Sequence, residues 1–212
     1  MKMKTVNKYN FLNIEKIVQV FFYIQKNTGA DTKLNLIKLL FFADKIHLRK
    51  HFSFISLDNY IALKYGPVAR ISLDILNRQK EYLSNFSTNE LKYLDNVQKI
   101  NQSKRIIRQM PNDLLSKNEM NSIDKSINLF FGKNLVDLSH DYPEWKRYKE
   151  PFEMQWVSSM PIVINDFFRN PDINNSPAIK KYFGDTDPLY EEEGFLEEAE
   201  LFYMQSIGKY AL

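Results

Sequence analysis

The chain has 212 residues with 44% hydrophobic and 14% aromatic content, enough to bury a core, so disorder throughout is excluded. It holds no cysteine, which removes a disulfide scaffold, a thiolate zinc site and a thiol nucleophile. The net charge of +3 is unevenly spread: residues 1–150 carry 25 Lys and Arg against 15 Asp and Glu, whereas residues 151–212 carry 4 against 11. A basic body with an acidic tail points either to contact between the two or to a separate partner for each.

The start, Met1-Lys2-Met3-Lys4, is basic but has no apolar run or small-residue cleavage site behind it, and Phe11 to Tyr23 reads as amphipathic. No stretch of about 18 uncharged apolar residues occurs, so no membrane span is expected and the reading is cytoplasmic. Ile14, Ile17, Val18, Phe21 and Ile24 recur at three- and four-residue steps, predicting a helix over about 13–27 that Asn27-Thr28-Gly29 stops. Asp31 or Thr32 can cap a second helix reaching about His51. Its apolar residues, Leu34 through Leu48, surround most of its circumference, so it is predicted to be the buried hub.

Tyr60 to Tyr65 reads as a short strand ended by Gly66-Pro67, with Pro67 placed to open the next helix and Val68, Ile71, Ile75 and Leu76 on its buried face. From Glu81 to Met110 the helical period is lost, and Lys92-Tyr93-Leu94 and Arg105-Ile106-Ile107 suggest a small hairpin or meander. Ser116-Lys117-Asn118-Glu119 is a capping box, opening a helix with Met120, Ile123, Ile127 and Phe130 on one face and Gly132 closing it. Asn134 and Asp141 look like caps of two short helices, the second with Pro143 early and Trp145 inward. Five prolines break residues 151–190 into pieces, one helical turn starting at Ser176-Pro177. A last helix is predicted over about Tyr190 to Gly208, with Phe195, Ala199 and Phe202 on one face and Glu191, Glu192 and Glu193 at its dipole-favoured start.

Four constellations invite a chemical reading. Asp44, His47 and His51 share a helical face, but position 48 is Leu where a zinc hydrolase helix needs its Glu, and histidines at a helix end are ordinary dipole compensation. Ser139, His140 and Asp141 are contiguous, which a catalytic triad seldom permits, and local capping explains them. Lys99, Lys104, Arg105 and Arg108 lack interleaved aromatics, so a solvated hairpin face is favoured over a nucleic-acid site. Asp185 to Glu200 holds eight carboxylates and no base, without the alternating ligands and turn glycine of a calcium loop, and reads as a solvated or docking face. With three histidines and no cysteine, acid–base and nucleophilic chemistry have few carriers; an enzyme is not expected, nor any cofactor or metal.

Leu36-Ile37-Lys38-Leu39-Leu40-Phe41-Phe42-Ala43-Asp44 followed by His47-Leu48-Arg49, then Tyr60 to Val68 with its Tyr65-Gly66-Pro67-Val68 turn, then Leu138-Ser139-His140 and Pro143-Glu144-Trp145-Lys146, resemble the Panacea (SocA-like) antitoxin domain in order and spacing. A glycine commonly follows the His-Leu-Arg segment in that family, whereas Lys50-His51-Phe52-Ser53 stands here, so that turn is expected to be built differently. The resemblance spans about residues 12–150 and implies an antitoxin that binds a cognate protein toxin directly; the alternative is an adaptor delivering the toxin to a AAA+ protease. A nucleic-acid-binding regulator is a third, weaker reading. The expected architecture is mainly α (α+β): a compact helical domain, residues 12–150, around a buried central helix with a small antiparallel β element. An acidic, proline-broken extension, residues 151–212, ends in a helix. The candidate partner-binding residues are Tyr65, Gly66, Pro67 and Trp145.

Overall fold

Local capping chemistry sets several helix ends. In the computed structural model, which describes residues 12–210, helix α1 (Ile14–Thr28) opens at Asn13, whose side chain accepts the Lys16 N–H at 3.2 Å, and closes on Gly29 in the left-handed region. Helix α2 (Lys33–His51) is capped by Thr32 and is buried on every side from Leu36 to Arg49, as an all-round apolar helix requires. Its end shows how this chain manages without the glycine: Phe52 itself adopts the left-handed conformation (φ 58°) and donates its N–H to the Leu48 carbonyl at 2.9 Å. That geometry costs an L-residue about 1–2 kcal/mol.

Strand β1 (Tyr60–Leu63) stops two residues earlier than the sequence suggests. Lys64 and Tyr65 form a two-residue turn, and Gly66-Pro67 opens the return strand β2 (Gly66–Ala69) instead of a helix. Pro67 lacks an N–H, which an outermost strand tolerates, and β2 is an outermost strand, paired only with β1. Helix α3 (Arg70–Asn77) therefore starts three residues later than expected, although Val68, Ile71, Ile75 and Leu76 are all buried. The irregular stretch beyond holds helix α4 (Thr88–Leu91), opened by a second capping box, Ser87 and Glu90, that the sequence reading passed over. Residues 92–96 form a 3₁₀ turn, so the hairpin pairs β3 (Val97–Lys99) with β4 (Arg105–Ile107).

The capping box at Ser116 and Glu119 starts helix α5 (Lys117–Phe130). It lies lengthwise on α2, where the small Ser126 lets the backbones approach and donates to the Leu39 carbonyl at 2.8 Å. Phe42 stacks on Phe130 with ring centroids 3.9 Å apart across this seam. Asn134 caps helix α6 (Leu135–Asp141) as expected, and Pro143 stands in the first turn of α7 (Pro143–Lys146). Asp141 does not cap α7. Its carboxylate reaches across the fold and accepts the N–H groups of Ala178 and Ile179 at 2.7 and 2.9 Å, at the start of a helix 36 residues further on.

Helix α8 (Lys149–Glu153) leads to strand β5 (Ser159–Pro161), which completes the three-stranded sheet antiparallel to β1. A 3₁₀ turn at Ile164–Phe168 drives Phe167 into the core, its ring 5.1 Å from Tyr60 and 5.9 Å from Phe41. Helices α9 (Pro177–Phe183) and α10 (Glu193–Tyr210) follow. The inward face of α10 is formed by Leu196, Ala199 and the half-buried Tyr203; Phe195 and Phe202, expected inside, are 40% and 55% exposed. At 100° per residue the buried face centres on Leu196, Ala199 and Tyr203, which leaves Phe195 and Phe202 at its edge. The fold is mainly α with small antiparallel β elements, and among the described residues no helix is long and apolar enough to cross a membrane.

Buried polar side chains of α2 bind the later segments to it. Arg49, 1% exposed, donates to the carbonyls of Phe167 (2.7 Å), Leu189 (2.7 Å) and Arg169 (2.5 Å). Lys45 and Glu144 form a fully buried pair, with burial and neighbouring Arg49 lowering Lys45 to about 8. The Tyr142 hydroxyl donates to Asp187 at 2.7 Å. Residues of the acidic tail thus meet the body through backbone carbonyls, apolar contacts and buried carboxylates, Asp166 accepting from Arg147 at 2.6 Å among them.

Candidate functional site

A lysine inside the apolar run Leu36–Ala43 of a helix enclosed on every side is buried with it, and a buried ammonium needs acceptors. Lys38 is fully buried, and its one hydrogen bond among the described residues goes to the Pro67 carbonyl at 2.9 Å. Burial without a carboxylate partner pushes it well below the ordinary lysine range. Gly66 lies over it with φ +100°, and a Cβ there would overlap Lys38 Nζ and come within 2.5 Å of Ser139 Oγ. The glycine therefore serves both backbone conformation and close approach. Ser139 itself donates to the Val136 carbonyl at 2.9 Å, so it is a helix residue with a satisfied hydroxyl.

Around this brace stand the aromatic residues. Trp145 is 6% exposed, donates its indole N–H to the Leu63 carbonyl at 2.8 Å and stacks on His140 at 3.5 Å and 6°. Phe152 lies parallel to it at 6.0 Å. Burial, with Lys38 and Lys149 nearby, lowers His140 to about 4, and its Nε2 is buried without a partner among the described residues. A neutral imidazole between a lysine and an indole is a packing element. Outside it, a cleft of about 350 Å³ is lined by His140, Trp145, Lys146, Lys149, Lys181 and Tyr182 among others.

The surface above carries large exposed side chains among polar ones. Tyr65, in the β1–β2 turn, is 62% exposed. Because Leu63 pairs with both Gly66 and Ser159, the residues just before Ser159 leave the sheet at the same end as that turn. Trp156 and Met154, 70% and 57% exposed, belong to that segment. Of the sequence candidates, then, Tyr65 faces solvent while Gly66, Pro67 and Trp145 form the layer beneath. Sequence reasoning gave no role to Lys38 or Trp156. The single charge inside an apolar run was the available signal for the first; nothing local marks the second.

The other constellations resolve differently. Asp44 is turned into the following loop, where it accepts from Ile55 N–H, Ser56 N–H, the Ser56 hydroxyl and Tyr60 OH. Burial still pushes its carboxyl up to about 6. His47 Nδ1 is 2.7 Å from the Ser53 carbonyl, so the trio does not converge. Arg105, read from sequence as part of a solvated face, is 1% exposed and donates to the carbonyls of Leu76, Asn101 and Lys104. Lys104 pairs with Asp31 at 2.7 Å. The hairpin therefore presents no continuous basic stripe.

A buried brace thus lies beneath the turn that carries the exposed Tyr65, and the exposed Trp156 leaves the sheet at the same end. Residues 36–146, just over half of the chain, match the family described as antitoxin SocA-like, Panacea domain, and the chain belongs to that family. The family supports an antitoxin role and, with it, a toxin as the general class of partner. No curated protein and no solved structure matches the chain.

Proposed function

We propose that the chain neutralises a cognate protein toxin in the cytoplasm by direct, stoichiometric binding without turnover. The observation that carries this reading is the aromatic end of the sheet. Tyr65 and Trp156 are the most exposed aromatic side chains among the described residues, and the Lys38, Pro67 and Trp145 hydrogen bonds fix the backbone under the turn. Large aromatics held in place lose little conformational entropy on docking, and such residues dominate binding energy at interfaces of about 1,200–2,000 Å².

Co-expression with the protein encoded by the adjacent reading frame tests the proposal by growth rescue and pull-down. Full rescue is expected only at one-to-one or higher ratios, and Tyr65→Ala with Trp156→Ala is expected to weaken capture with little change in melting temperature. Rescue at clearly substoichiometric amounts refutes occlusion. If such rescue also disappears in a protease-deficient host, the chain acts as an adaptor to a AAA+ protease.

A further inference from the structure

Helix α10 turns an unusual face to solvent. A helix advances about 100° per residue, so Leu196, Ala199 and Tyr203 fall on one side and Glu197, Glu198, Leu201, Phe202 and Gln205 on the other. The inner set is seated: Leu196 and Ala199 are buried, and the Tyr203 ring lies within 6.0 Å of those of Phe54 and Phe168. The outer set leaves Leu201 58% and Phe202 55% exposed. Phe202 also stacks on Phe52 at 5.2 Å, which extends the apolar surface onto the end of α2. Among the described residues, Glu192, Glu193, Glu197 and Glu198 make no ion pair. From Asp185 to Glu200 there is no Lys or Arg to offset them. A self-sufficient surface helix hides its large apolar residues and mixes its charges.

We infer that α10 is a second docking face, fitted to a protein partner whose surface is basic around an apolar groove; resting on the antitoxin reading, that partner is the toxin. The charge selects the occupant. A second copy of this chain meeting α10 across a two-fold axis would set this acidic face against itself. An anionic lipid surface is repelled for the same reason. A basic protein groove gains from both the carboxylates and the apolar pair, in the manner of an amphipathic helix laid into a groove.

The test uses the full chain with the adjacent-frame protein as probe. Binding is measured at about 50 and about 300 mM NaCl for wild type, Glu197→Lys/Glu198→Lys, Glu197→Gln/Glu198→Gln and Leu201→Asp, with melting temperature and light scattering on each. All three sites are exposed, so unchanged melting is expected. The charge reversal should weaken binding at least about tenfold and the glutamines by less, and wild-type binding should weaken as salt rises. Variants that melt and bind like wild type overturn the role of α10 and leave the antitoxin reading standing. A wild-type dimer that the charge reversal dissociates assigns the face to a second copy and equally overturns it. Failure of wild type to bind the probe or rescue growth removes the antitoxin reading itself, and the inference with it.

Discussion

Replacing Gly66 by alanine probes the brace beneath the turn. The backbone there has φ +100°, which costs an L-residue about 1–2 kcal/mol. The new Cβ would also overlap Lys38 Nζ and sit 2.5 Å from Ser139 Oγ. Both neighbours are buried, so making room for the Cβ adds about 1–3 kcal/mol of overpacking. The total, about 2–5 kcal/mol, is a large share of the roughly 5–15 kcal/mol that holds an ordinary domain together. In a chain of this size it corresponds to a fall of about 4–20 °C in Tm. The cycle with Lys38→Met isolates the cause: without the ammonium, the alanine should cost at least about 1 kcal/mol less, measured by urea unfolding of the four proteins. Equal costs in both backgrounds, or a Gly66→Ala protein that melts like wild type, would refute the reasoning.

Ending the chain at residue 150 should leave it unfolded, because Phe167, Phe168, Ile179, Leu189 and Leu196 are each worth about 1.5–3 kcal/mol of burial and Arg49 would lose three carbonyl acceptors. A cooperative melt in circular dichroism from the truncated protein would contradict this. His140 stays neutral in the folded chain down to about 4, whereas the unfolded chain takes up its proton near 6.5. Between those values the unfolded state binds more protons, so stability falls as pH falls. His140→Phe keeps a ring against Trp145 but does not titrate. Wild type should therefore lose stability relative to it between about pH 7 and pH 5, and parallel unfolding curves would show that the imidazole is not shielded.

Caps, stripes and the buried hub were legible because they depend on residues close in sequence. Thr32, Ser116 and Asn134 act on N–H groups three positions ahead. Helix α2 declares its burial through its own composition. The same logic misjudged Asp141, because a carboxylate cannot reveal from its neighbours that the helix it caps lies 36 residues away. It misjudged Gly66-Pro67 as well. The pair has the composition of a strand end and a helix start, but pairing with Leu63 and Ala62 makes it the opening of a return strand. The residues that decide the candidate site, Lys38 against Pro67 and Tyr65 at the same end of the sheet as Trp156, come from segments about 29 and 91 positions apart. A single chain states which groups need a partner, since burial, charge and capping demands are local chemistry. Which partner each one finds is fixed only when the tertiary packing brings distant segments within hydrogen-bond and van der Waals reach.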